Sequence, residues 1–346
     1  MSFRFTKQIP LMLNAGKSLE EVVEFCNLSS KRKWTVKSLQ WFIRYHNVMG
    51  TNIETVELED GKYFGFDEDR TFGIEIEMLA QKYDSIYNMY EHYTKLAEDI
   101  TRLSGLVCEY QDYNHRASNV WKLVTDASLR LITNFQQEKC FTIELVSPIL
   151  KGYDGLEQIE KISKALKELK CEINVSCGLH VHHNITKFDD SNIVRETLKN
   201  IQKIYAKNQS EINKFLPKDR WKSSFAKKMG PSKLYGNGWR SNNALQNRYN
   251  AVNSSAYLRH GTIEFRQHSG TIESIKIINW IMITQSMVNF CEKKMNDNNN
   301  SYIIRREDKY KLKELILDKK VMKYISDRKD YFKKKYTQPI VMGVAV

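Results

Sequence analysis

Four short stretches of this chain carry side chains able to grip a cation or a phosphate at alternate positions. Thr71-Phe72-Gly73-Ile74-Glu75-Ile76-Glu77-Met78 places two carboxylates two residues apart. Phe141-Thr142-Ile143-Glu144-Leu145-Val146-Ser147-Pro148 holds one acid in an apolar run. Gly178-Leu179-His180-Val181-His182 holds two imidazoles, and Thr262-Ile263-Glu264-Phe265-Arg266-Gln267-His268 an acid, a guanidinium and an imidazole. In a strand, alternate residues share a face. Glu75 with Glu77, His180 with His182, and Glu264 with Arg266 and His268 therefore project together, and Ile74, Ile76, Met78, Leu179, Val181, Ile263 and Phe265 face a core. Crowded carboxylates repel and lose hydration, so a fold gains little from gathering them alone. A hard cation reverses that balance, because magnesium is held by carboxylate oxygens. Imidazoles contact metal or phosphate, and Arg266 offers a planar fork for phosphate. Any one stretch also reads as a solvent-facing strand edge. Their recurrence favours one sheet presenting a multi-magnesium site.

The segments between these strands must back that sheet. Residues 84–103 carry Ile86, Met89, Tyr90, Tyr93, Leu96, Ala97, Ile100 and Leu103, an apolar stripe at helical spacing ended by Ser104-Gly105. Residues 155–169, 187–212 and 275–291 read as further helices. Trp121 to Leu129 reads as a strand running into a turn that Asp126 and Ser128 can cap. Residues 214–240 are irregular and rich in Lys and Arg, with Trp221 and Trp239. Such a loop suits a lid over phosphates, a nucleic-acid contact or a solvated connection.

At 346 residues the chain allows one large domain or two ordinary ones. No run approaches the ~20 apolar residues of a membrane helix. The N-terminus lacks the apolar core of a signal peptide, so a cytoplasmic protein is expected. Six cysteines without close pairing are expected to be reduced and mostly buried. A net charge of +13 favours a polyanionic partner, nucleic acid or a phosphate-rich ligand.

Residues 1–66 read as a separate lobe. Ser18-Leu19-Glu20-Glu21 is a capping box. Thr35 can cap a further helix, and Asp60-Gly61 between two short β-prone runs signals a hairpin. Short helices plus a hairpin suggest a winged helix-turn-helix, and residues 16–46 resemble the helix-turn-helix region of serine recombinases. Lys31, Arg32, Lys33, Lys37 and Arg44 would supply its contacts to DNA or RNA phosphates. Packing or protein binding is the alternative. Gly16-Lys17-Ser18 mimics a phosphate-binding loop, but Leu11 stands where that loop needs glycine.

The ordered set Gly-Ile-Glu-Ile-Glu, Trp…Asp-Ala-Ser-Leu, Glu-Leu-Val-Ser-Pro-Ile-Leu, Cys-Gly-Leu-His-Val-His, Arg-Tyr…Asn and Thr-Ile-Glu-Phe-Arg resembles the amidoligase family across residues 70–290. That family belongs to the carboxylate–amine ligases related to glutamine synthetase and glutamate–cysteine ligase. The resemblance implies an α+β fold with a curved antiparallel sheet, helices behind it, and ATP and Mg2+ on its concave face. It implies a catalytic domain over 67–292 and leaves 293–346 as a charged, mainly helical extension. Position by position, it makes Glu75, Glu77, Glu144, His180 and Glu264 metal ligands. His180, His182, Arg248 and Arg266 become nucleotide contacts, with Glu75 and Arg266 in the chemistry. For the amine's proton, His268 or an acidic residue is the candidate base. Asp126 matches the family's Thr-Asp-x-Ser run, but Leu129 stands where glutamate–cysteine ligases place another acid. The substrates implied are a carboxylate and an amine from an amino acid, peptide or modified macromolecule. The residues alone also fit a Mg2+-dependent nuclease, or a nucleic-acid-binding protein with a ligase-like domain, or a ligase that decorates nucleic acid or its bound protein.

Overall fold

A computed structural model of the chain describes residues 62–337, apart from 113, 115, 132–138, 186–189, 231–233 and 235–246. In the N-terminal segment it describes residues 12, 18–29, 35, 36 and 39. The chain divides into two compact units, Met1–Lys62 and Tyr63–Val346.

In the first unit, helix α1 spans Leu19–Ser29. The capping box forms: Glu21 N donates to Ser18 Oγ at 3.2 Å and Ser18 N donates to Glu21 Oε2 at 2.7 Å. Val22 and Cys26, one turn apart, are fully buried. Lys31, Arg32, Lys33, Lys37 and Arg44, and the hairpin turn at Asp60-Gly61, lie outside the described residues. Lys62, Tyr63 and Phe64, expected as the hairpin's second strand, run as loop and turn instead. The amides of Tyr63 and Phe64 bond to Tyr153 Oη and Asp318 Oδ2, each at 2.6 Å.

The second unit opens with strand β1, Thr71–Gln81. Helix α2, Met89–Ser104, starts later than the apolar stripe predicts, because Asn88 Oδ1 accepts the Tyr90 amide and sets the first turn. Gly105 closes it in the left-handed region, φ 71°. Strands β2 (Cys108–Tyr110), β3 (Trp121–Val124), β4 (Cys140–Val146) and β5 (Leu150–Lys151) follow, then helix α3, Gly152–Glu168. Strand β6 is Gly178–Asn184. Just before it, Asn174 Oδ1 takes the Ser176 amide, folding residues 174–177 into a turn. Helix α4 is Ser191–Asn213, and a 3-10 turn covers Lys218–Lys222. Strand β7 (Val252–Asn253), helix α5 (Ala256–His260), strand β8 (Thr262–Ser269) and helices α6 (Ser274–Asp297), α7 (Leu312–Leu315) and α8 (Lys319–Thr337) complete it.

The strands form one sheet in the order β2-β3-β4-β1-β6-β8-β7, with β5 pairing to β1. β2 and β3 are parallel and every other pair is antiparallel. The sheet is therefore mixed, not antiparallel throughout as expected. Ile74, Ile76 and Met78 of β1 meet Ile143 and Leu145 of β4 and Leu179 and Val181 of β6 in one apolar cluster. Leu96 of α2, Ile159 and Ile162 of α3, Ile201 of α4 and Ile281 of α6 close it from behind. Each such side chain contributes roughly 1.5–3 kcal/mol by leaving water. Among the described residues, no helix is long and apolar enough to cross a membrane. All six cysteines are free and buried.

Candidate active site

Strand register builds the cluster. β1 lies between β4 and β6, so Glu77 faces Glu144 across one pair and Glu75 faces His180 across the other. His182 then pairs with Glu264 of β8, and Glu264 with Asn253 of β7. Four neighbouring strands thus deliver acids and imidazoles to one patch, and β7 adds the Asn253 amide.

The side chains touch there. His180 Nδ1 lies 2.9 Å from Glu75 Oε2 and 3.6 Å from Glu264 Oε1, and its Nε2 lies 3.6 Å from Glu77 Oε1. His182 Nε2 is 3.3 Å from Glu75 Oε1, and its Nδ1 is 3.0 Å from Thr262 Oγ1. Arg266 donates through NH1 to Glu264 Oε1, and Asn253 Nδ2 donates to Glu264 Oε2 at 2.6 Å. Glu77 accepts the Gly178 amide. Glu77, Glu144, His180, Glu264 and Arg266 are all buried, whereas Glu75 retains 27 % side-chain exposure toward the cavity.

Electrostatics splits these acids. Burial pushes the Glu144 carboxyl well above the ordinary range, and Glu75 and Glu77 push the same way. Burial also opposes ionisation of Glu75, yet hydrogen bonds and charge from His180 and His182 hold it well below that range. For Glu264, burial is outweighed by the Arg266 guanidinium and the two histidines, and its pKa falls. Burial lowers and Glu75 raises the His182 pKa, with a net rise. Among the described residues Glu144 forms no ion pair.

Two overlapping ligand sets result: Glu75, His180 and Glu264, and Glu77, Glu144 and His180. In each set the ligating atoms lie within 4.8 Å of one another, so each could hold a metal ion. The donor set of carboxylate oxygens plus imidazole suits a hard divalent cation. Above the cluster opens a cavity of about 1140 Å³, lined by Glu75, Glu144, His180, His182, Glu264 and Arg266. Arg248 and Asp126 line it too, Asp126 while also capping its turn through the Ser128 amide at 2.6 Å.

His268 is not part of this group. Strict alternation places it beside Glu264 and Arg266, but β8 carries a bulge. Leu179 pairs with His268 and Val181 with Phe265, so Arg266 and Gln267 together oppose the single residue His180. The extra residue turns His268 to the helix side. There its ring lies 5.1 Å from that of Trp280, and Nδ1 bonds to the Ser269 carbonyl at 2.7 Å. Burial pushes its pKa down to about 3. The irregular basic segment is also more ordered at its start than expected: Arg220 is buried, and Trp221 Nε1 donates to Leu216 O at 3.0 Å. Trp239 lies outside the described residues.

Spacing does not single out Lys122, Asn253 or Arg220. Lys122, only 2 % exposed, lines the cavity from β3. Its ammonium donates to Asn114 Oδ1 at 2.9 Å and Arg116 O at 2.7 Å, so it fastens one cavity wall. The one signal available was a lysine inside the apolar run Trp121-Lys122-Leu123-Val124.

This combination of a strand-borne acidic and imidazole cluster, an arginine and an overlying cavity defines a class. The family model for the enzymes described as putative amidoligases matches residues 68–288, and the chain belongs to that family. Membership supports an enzyme that forms amide bonds, acting on a carboxylate and an amine. No curated protein matches the chain.

Proposed function

We propose that this protein is an ATP- and Mg2+-dependent carboxylate–amine ligase working through an acyl phosphate. The supporting observation is the convergence of Glu75, Glu77, Glu144 and Glu264 on His180 beneath a cavity of nucleotide size, in a chain of the amidoligase family. The residues fit a divalent cation. Glu144 is buried, forms no ion pair among the described residues and is hard to ionise. Glu75, Glu264 and His180 would hold one ion, and Glu77, Glu144 and His180 a second. Bound Mg2+ supplies charge neutralisation along the phosphates.

The substrate carboxylate attacks the γ-phosphorus, giving an acyl phosphate and ADP. The amine then adds to the acyl carbon, phosphate leaves, and an amide remains. Arg266 sits at the floor beside Glu264, where its guanidinium can hold the phosphoryl oxygens during transfer. His182 lines the same cavity beside Glu75 and can contact those oxygens. Arg248 lines the cavity and fits a phosphate contact. His268 takes no part, because its ring faces α6.

The test is incubation with ATP, Mg2+ and an amino-acid pool, scored for phosphate release and for masses of condensed products. Hydroxylamine added to the same mixture should yield a hydroxamate by trapping the acyl phosphate. ATP-independent cleavage of DNA, with no amide formed, would replace this reading with a nuclease.

A further inference from the structure

We infer that Arg220 is a positioning residue that holds the β8 bulge in place and balances the charge of Glu77. The inference rests on the reading of Arg266 as the phosphate-facing cation. A bulge leaves carbonyls outside the regular ladder, and buried carbonyls need donors. Arg220, 5 % exposed on the 3-10 turn, supplies them. Its Nε donates to Gln267 O at 3.2 Å and its NH2 to Arg266 O at 3.0 Å. Those are the two residues that oppose His180 alone. The planar guanidinium serves the two carbonyls from two separate nitrogens in a fixed geometry, whereas a lysine would have to reach both from one nitrogen.

The attachment is reciprocal. Arg266 Nε donates to Phe225 O at 3.2 Å, five residues beyond Arg220. Residues 220–225 and β8 are therefore tied twice, once through each arginine. This double tie fixes the base of Arg266 and the phase of the strand after it.

The charge of Arg220 also matters. A Cβ added at Gly178 would lie 3.2 Å from Arg220 NH2, 3.2 Å from Glu77 Oε2 and 3.1 Å from His180 Nε2. Glycine at 178 thus lets a guanidinium, a carboxylate and an imidazole approach one point behind the metal-ligand sets. Part of the negative charge of Glu77 is answered by Arg220, so less of it is available to a bound cation.

Two variants of the full chain separate these effects. Arg220→Lys keeps the charge and loses the fork; Arg220→Met loses both. The probes are Mn2+ alone, by titration calorimetry, and the imido analogue of ATP at saturating Mg2+. Arg220→Lys should bind Mn2+ within about twofold of the wild type and the analogue at least tenfold more weakly. Arg220→Met should bind Mn2+ roughly 10³- to 10⁴-fold more tightly, the order expected for removing one unit charge ~6–8 Å from a divalent ion at an effective dielectric near 20. That gain should shrink in a Glu77→Gln background, because the part that comes from freeing the Glu77 charge is then absent. A purely structural arginine would lower the melting temperature and leave both affinities of the folded variants unchanged, which overturns the inference. If Arg220→Met does not fold, Arg220→Lys decides alone: wild-type affinity for the analogue overturns it. None of these readouts needs turnover. A wild type that binds both probes yet joins no substrates sinks the ligase reading and leaves the role of Arg220 standing.

Discussion

The two faces of β1 share a backbone and differ in what completes them. Ile74, Ile76 and Met78 pack against the helices and are at most 1 % exposed. Their contacts are non-directional, and nothing further is needed to satisfy them. Glu75 and Glu77, one position out of phase, enter a group of buried acids whose charges oppose one another. Histidines and Arg266 offset part of that repulsion, and Glu144 is left pushed well up. One face is finished by folding; the other is finished by what it binds.

The sharpest way to break that contrast is to remove a charge from the cavity face. Glu75→Ala should lower ATP turnover by about 10³-fold, the scale of losing a key electrostatic group. Its melting temperature should fall slightly at neutral pH with the fold kept, because the bonds from His180 and His182 that hold this carboxyl low are lost. Full ATP-dependent ligation by this variant would remove Glu75 from the site. On the helix face the pattern should invert. Ile76→Ala should cost about 3 kcal/mol in urea denaturation, within the range for truncated core side chains, while the folded fraction keeps its turnover. A smaller effect is expected where the faces meet at the cavity wall. Lys122→Met strands the Arg116 carbonyl that its ammonium serves, at about 1–3 kcal/mol. It should raise KM more than it lowers kcat, because the wall moves and the cluster does not.

The smallest effect sharpens the contrast by testing His268. Its folded pKa, about 3, lies below the unfolded value of roughly 6.5. The unfolded chain therefore binds this proton first. Stability from the neutral ring is complete above about pH 6.5 and is lost as pH falls toward 3. Between pH 7 and pH 5 that amounts to about 2 kcal/mol. His183, bonded through Nε2 to Thr284 Oγ1 at 2.7 Å and also held well down by burial, acts in the same sense. His268→Leu should shrink the fall in melting temperature between those pH values without abolishing it, and should retain ATP turnover. Loss of turnover at unchanged stability would return His268 to the chemistry.

Alternation along strands carried most of this site. Glu75, Glu77, Glu144, His180, His182, Glu264 and Arg266 share one face because each strand keeps its phase up to the point where they occur. His268 lies past the bulge, whose trace in the sequence is the polar Gln267 at a position where alternation calls for an apolar residue. The parallel pairing of β2 was hidden for another reason: Cys108–Tyr110 is too short to show any period. Lys122 and Arg220 escaped because main-chain carbonyls define their roles. Arg220 serves carbonyls 46 and 47 residues away, and no side-chain pattern records that. The capping box at Ser18 was readable because its partners are three residues apart.

The parallel pairing of β2 and β3 carries an implication for how substrates are chosen. Two parallel neighbours require the chain to travel back before it can run alongside itself. Residues 111–120 make that return, and Asn114, Arg116 and Ala117 on it border the cavity. Topology thus dictates a minimum length for this border. Shortening it would pull two strands apart, whereas lengthening it would only add material beside the opening. Insertions here can reshape the opening of the cavity with the cluster of acids and histidines untouched.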